Sequence, residues 1–165
     1  MGFKHEQLGR WLATQAPGES LVSYVVTSFG VVGSTNVGSG MTAPASSGID
    51  RREAFAESLG PETSLIRETT FSALTDRRLI LGTRSGMRNR PKDLLHSAAV
   101  DAVTVHWFDD DEGAGNRFRH FVTDFGDGTV RTDRAGLTVM GRPTTSNADA
   151  FVDALGDRAR QIEPD

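Results

Sequence analysis

The sequence contains no cysteine. Structural disulfides, thiolate zinc sites, iron–sulfur clusters and a cysteine nucleophile are excluded, and a reducing compartment fits. Long apolar runs are missing too. The longest apolar-leaning stretch, Leu21 to Val32, is broken by Ser23, Thr27, Ser28 and Gly30, well short of the roughly 20 residues that a membrane-spanning helix needs. The start, Met1-Gly2-Phe3-Lys4-His5-Glu6, lacks the basic head and apolar run of a signal peptide. A cytoplasmic location without a transmembrane segment is therefore expected. No G-x-S-x-G surrounds any serine, which removes the hydrolase nucleophile elbow. Gly33 to Gly38 has the glycine spacing of a phosphate loop, yet Ser39 and Gly40 stand where Lys and a hydroxyl are required.

What is present describes an ordinary globular chain. The 165 residues are 37% hydrophobic and 24% charged, enough to bury one core in a single domain spanning 1–165. Net charge is −4, so the surface as a whole repels nucleic acid and no nucleic-acid partner is expected.

The periodicity changes along the chain. Leu8, Trp11 and Leu12 share a helical face, and Pro17-Gly18 stops the run, which predicts an N-terminal helix within 1–17. Leu21–Phe29 reads as a strand. Residues 30–48 are dominated by Gly, Ser, Thr and Ala and read as a flexible insertion. Asp50 and Glu53 have the spacing of a helix start, and Gly60-Pro61 ends that helix. From Thr69 onward the texture is β. Strands are predicted over Thr69–Leu74, Arg78–Thr83, Asp93–His96, Val100–Phe108, Arg117–Phe125 and Thr129–Asp133, with turns at Asp76-Arg77, Asp109–Gly113 and Asp127-Gly128. Ser146 and Asp149 suggest a capping box, and Phe151, Leu155, Arg158 and Ile162 recur at helical spacing. The expected class is α+β, mainly β: a curved antiparallel sheet or small barrel closed by a C-terminal helix.

Ala73-Leu74-Thr75-Asp76-Arg77-Arg78-Leu79-Ile80-Leu81, the Phe125-Gly126-Asp127-Gly128 turn and the closing Phe151-Val152-Asp153-Ala154-Leu155 segment resemble the bacterial pleckstrin-homology-like proteins over roughly residues 65–160. The resemblance implies a partly open barrel of two near-orthogonal antiparallel sheets, one end closed by the last helix. It implies a scaffold rather than a ligand. The lysine/arginine pattern that lipid-binding members carry after the first strand is replaced here by the uncharged 30–48 stretch.

Three groups of residues invite chemistry. His106 and His120 flank one turn with Asp109-Asp110-Asp111-Glu112 nearby, which makes a metal site conceivable. No histidine lies at i+2 or i+4 from either, so these, with His5 and His96, are expected at the surface or a sheet rim. The acidic run fails the calcium-loop pattern, because Ala114 and His120 fall where Gly and Glu are needed. It is expected to be a solvated hairpin tip. The strongest asymmetry is basic. Residues 77–92 hold Arg77, Arg78, Arg84, Arg88, Arg90 and Lys92 and no acid. Arg84, Arg88, Arg90 and Lys92 form the candidate contact with an anion or partner, since guanidinium groups bind phosphates and carboxylates. The opposing reading pairs them with Asp109–Glu112.

The function expected from these residues is a non-enzymatic binding or scaffolding module that contacts a protein partner or an anionic membrane surface. No catalytic residue, metal or cofactor is assigned. The runner-up is a self-assembling structural protein, a homo-oligomer subunit. A small enzyme with a site that no motif reveals is the third reading.

Overall fold

The computed structural model describes residues 3–28, 46–60, 69–85 and 88–163. The chain begins with helix α1 (His5–Gln15), which Pro17 and a left-handed Gly18 terminate. Strand β1 (Leu21–Ser28), helix α2 (Ser46–Leu59) and strands β2 (Thr69–Thr75), β3 (Arg78–Arg84) and β4 (Pro91–Ala99) follow. Then come β5 (Thr104–Gly113), β6 (Asn116–Asp124), β7 (Val130–Val139) and the short β8 (Arg142–Pro143). Helix α3 (Ala148–Leu155) and strand β9 (Ala159–Gln161) complete it. The architecture is α+β, mainly β, as expected.

The strands form one open sheet in the order β4-β3-β2-β1-β7-β6-β5-β9, with β8 paired to β7. Every ladder is antiparallel except β5 with β9. The sheet is strongly curled. Leu79 and Leu81 of β3 share one core with Val105 of β5, although four strands separate β3 from β5. Laid flat, those strands would stand roughly 24 Å apart. Phe151 and Leu155 of α3 complete this inner core.

The outer face is covered as well. Leu8 and Leu12 of α1 pack on Phe71, Ala73 and Ile80, so β2 and β3 are buried on both faces. Phe71 lies over Gly82, where any Cβ would overlap its ring. Helix α2 covers the other half of the outer face through Ala56, Phe55 and Leu59 against Val122 and Val130.

The hairpin that carries the resemblance is a structural anchor. Thr75 Oγ1 accepts hydrogen bonds from the Arg77 and Arg78 amides at 3.1 and 2.8 Å and donates to Glu19 Oε2 at 2.7 Å. Arg78 Nε donates to Glu19 Oε1 at 2.7 Å, and Asp76 Oδ1 accepts from the Ser20 amide. The turn is thereby tied to the segment entering β1.

Several expectations need correction. Helix α2 starts at Ser46 rather than Asp50, so the last three residues of the 30–48 insertion are helical; residues 30–45 lie outside those described. The acidic run is no turn. Strand β5 continues through it, and the tip falls at Ala114-Gly115, both with positive φ. Strand β7 runs to Val139, well past the expected Asp133. The last helix stops at Leu155 because Gly156 adopts φ +57. Arg158 and Ile162 therefore lie beyond it, and the Ile162 amide donates to Trp107 O at 2.8 Å as the chain joins β5. The capping box is absent: Ser146 Oγ donates to Gly136 O, and the cap residue is a left-handed Asn147.

A carboxylate, Asp133, sits in the interior. Asp133 lies directly opposite the core residue Phe121, 4.0 Å from Arg131 Nε. Burial pushes its pKa up to about 6, against the opposing pull of Arg131 and Arg52. The folded state therefore keeps a proton that the unfolded chain releases, and this group costs stability as pH rises from about 4 to 6. Across that window the Asp133→Asn variant should gain on the wild type by up to about 1.4 kcal/mol per pH unit, measured by urea unfolding at each pH. Truncating Phe151 or Leu155 to Ala should cost about 2–5 kcal/mol in the same assay at pH 7.

Candidate functional site

The four basic residues singled out above separate into two groups. Arg88, Arg90 and Lys92 are exposed. Among the described residues no carboxylate pairs with Arg88 or Arg90, and Lys92 meets only the equally exposed Asp93 at 3.4 Å. The β3–β4 loop is closed by the Ser85 amide donating to Arg90 O at 2.9 Å. Trp11 Nε1 donates to Lys92 O at 3.0 Å and ties the loop to α1. Arg90, Pro91, Gln7, Arg10 and Trp11 line a shallow depression of about 330 Å³, where Arg10 is paired with Glu6 at 2.6 Å.

Arg84 departs from the expectation. Its Nε donates to Thr70 O at 3.0 Å, Nη2 to Thr27 O at 3.1 Å and Nη1 to Asn89 Oδ1 at 2.7 Å. The guanidinium staples β1, β2 and β3 to the loop, and burial lowers its pKa. Geometry makes it a structural arginine.

The acidic run does not face the basic loop. Asp109 binds Arg119 through two hydrogen bonds of 2.6 and 2.9 Å, and Arg119 Nη1 reaches Asp149 of α3 at 2.8 Å. This array holds the Arg119 pKa up against its burial. Glu112 accepts from Arg134 Nη1 at 2.5 Å, and that guanidinium lies 4.0 Å from the Phe118 ring centroid. A hairpin tip in solvent is replaced by paired charges on alternate faces of β5.

Nor are the histidines equivalent. His5 is exposed, and His96 Nε2 lies 2.8 Å from Asp127 Oδ2, bridging β4 to the β6–β7 turn. His106 packs on Phe55, and burial, with Arg160 adding, lowers its pKa. His120 contradicts the surface expectation outright, with 0% exposure.

Around His120 the outer sheet face and α2 enclose a polar layer. Phe108, His120 and Arg134 form one cross-strand row over β5, β6 and β7. The His120 ring stacks on Phe108 at 4.9 Å. Asp110 and Glu112 follow Phe108 at alternate positions, on the same face. From α2, Arg51 lies over the Phe108 ring at 4.2 Å and donates to the Ile162 and Glu163 carbonyls. Arg52, fully buried, pairs with Glu53 at 2.7 Å, and Thr132 Oγ1 donates to that same carboxylate.

Among the described residues, neither ring nitrogen of His120 has a hydrogen-bond partner. Its Nε2 is 4.0 Å from Asp110 Oδ2. Donor atoms of Asp110, Glu112 and His120 all lie within 4.8 Å of one another. Burial, reinforced by Arg52, Arg134 and Arg51, pushes the imidazole pKa down to about 3, so the ring is neutral at physiological pH. Gly48 of α2 is the nearest cover: a Cβ there would overlap Asp110 Oδ2 and stand 2.9 Å from His120 Nε2.

Arg119, Arg134, Arg52 and Gly48 were not singled out from sequence. The signal for the first two was alternation of charge on facing strands. It was unreadable without the register, which shifts at Asp111/Gly113 and again at Arg117/Phe118.

No family model matches this chain, and no curated protein matches it either. The site therefore has to be read from its own geometry. Replacing Gly48 with Ala tests how tightly α2 is pressed on the layer. Helix propensity alone would favour Ala by about 1 kcal/mol. Overlap with Asp110 should reverse the sign and cost about 1–3 kcal/mol in chemical denaturation.

Proposed function

We propose that the protein is a non-enzymatic binding module of the pleckstrin-homology-like kind. Its β3–β4 loop engages an anionic surface, either a membrane leaflet or an acidic face of a protein partner. The observation that carries this reading is the exposure of Arg88 and Arg90 without carboxylate partners among the described residues, beside the exposed Lys92. A charge that stabilises nothing within its own fold is free to act on a partner. The strand order, with β1 joining two antiparallel halves and a helix against the inner core, supports a partly open barrel of this type. No described helix is long and apolar enough to cross a membrane, so attachment on this reading is peripheral.

Each basic residue at an anionic membrane surface contributes about 1 kcal/mol. The Arg88→Glu/Arg90→Glu variant removes two favourable charges and adds two unfavourable ones, roughly 4 kcal/mol in all, or about a thousandfold in affinity. Flotation with vesicles containing anionic lipid should lose the variant, while its melting temperature stays nearly unchanged because exposed charges contribute little to folding. Wild-type binding should also weaken steeply with salt, since screening acts over about 8–10 Å at physiological ionic strength. If wild type ignores vesicles but captures an acidic protein through the same residues, the partner arm holds. Binding that survives the double reversal in both assays refutes the proposal.

A further inference from the structure

We propose that Asp110, Glu112 and His120 form a site for one divalent transition-metal ion of the zinc class, enclosed between helix α2 and the outer face of β5 and β6. The inference starts from two groups that the fold leaves unanswered. His120 is fully buried and makes no hydrogen bond through either nitrogen among the described residues. Asp110 faces it at 4.0 Å and has no arginine or lysine in ion-pair contact among the described residues. A buried polar group without a partner costs about 1–3 kcal/mol, so the sealed His120 ring beside the part-exposed Asp110 points to a missing third component.

The neighbouring cations do not supply it. Arg134 is bound to Glu112 through Oε1, Arg52 to Glu53, and Arg51 to two backbone carbonyls. Arg134 also acts on Asp110 electrostatically, without bonding to it. A divalent ion would take the His120 lone pair and both carboxylates at once.

The donor set chooses the ion. One imidazole and two carboxylates, all within 4.8 Å of one another, are the mixed nitrogen and oxygen donor set of a borderline metal. Magnesium and calcium prefer oxygen alone. The ligands come from one strand and its neighbour: Asp110 and Glu112 share a face of β5, and His120 lies opposite Phe108 on β6. Such a rigid platform holds three donors with little entropy left to lose. Glycine at 48 keeps α2 from filling the space between Asp110 Oδ2 and His120 Nε2 with a side chain. The fourth position remains for water or an incoming ligand.

The test uses the tag-free 165-residue chain freed of metal by a chelator. Zn²⁺ is titrated in competition with a chromophoric chelator, with Mg²⁺ as the control. The expected result is one Zn²⁺ per chain, a raised melting temperature and no response to Mg²⁺. Asp110→Asn and His120→Asn should each weaken binding at least tenfold, and His106→Ala should leave it unchanged. Asp110 is part-exposed, so its variant tests the site even if replacing the buried His120 disturbs folding. Absence of stoichiometric Zn²⁺ binding by wild type overturns the inference. So does wild-type affinity in Asp110→Asn, or loss of binding in His106→Ala.

Discussion

Helix α2 lies across a sheet face that carries charge, and every polar group beneath it has to find its partner inside the protein. Leaving water costs a charged side chain several kcal/mol unless an ion pair or hydrogen bonds replace the hydration. That constraint accounts for the density of arginine contacts on β5–β7. Arg134 takes Glu112, and Glu53 takes both Arg52 and the Thr132 hydroxyl. On the other side of the same strands, Arg119 takes Asp109 and Asp149. His120 answers the constraint differently, by staying neutral.

The two halves of the sheet meet the problem of a second face in contrasting ways. Over β2 and β3, helix α1 offers Leu8, Leu12 and Trp11, and the covered residues are apolar. Over β5–β7, helix α2 offers Ala56, Phe55 and Leu59 at one end and arginines at the other. The apolar half behaves as core. The polar half is where chemistry can be held, because dielectric and solvent access are both low there. Near the β3–β4 loop, Arg88 and Arg90 have no acid to bind among the described residues, whereas Arg84 is part of the frame through its hydrogen bonds to backbone carbonyls.

Local signals carried much of the fold. Thr75-Asp76-Arg77-Arg78 encodes its own turn, because the Thr75 hydroxyl caps two amides within three residues. Asp127-Gly128 does likewise, with Asp127 Oδ1 accepting from the Thr129 amide. Alternation failed where both faces of a strand are occupied: the Asp109–Glu112 run looks like solvent-facing charge until Arg119 and Arg134 are brought beside it. The helical spacing of Phe151, Leu155, Arg158 and Ile162 misled for a comparable reason. A single Gly156 ends the helix, and pairing with β5 then decides the path.

The sequence by itself determined the class of the fold, its opening helix, the turns at Asp76-Arg77 and Asp127-Gly128 and the concentration of basic charge in residues 77–92. All of these are set by residues close together in the chain, where hydrogen bonds and side-chain spacing act without help from elsewhere. Only the tertiary structure decided that Arg84 is bound and Arg88 and Arg90 are exposed, and that His120 meets Asp110 rather than His106. Those outcomes depend on strand register and on where α2 lands. Register is fixed by the balance of burial over the whole sheet, and one bulged residue moves every following side chain to the opposite face.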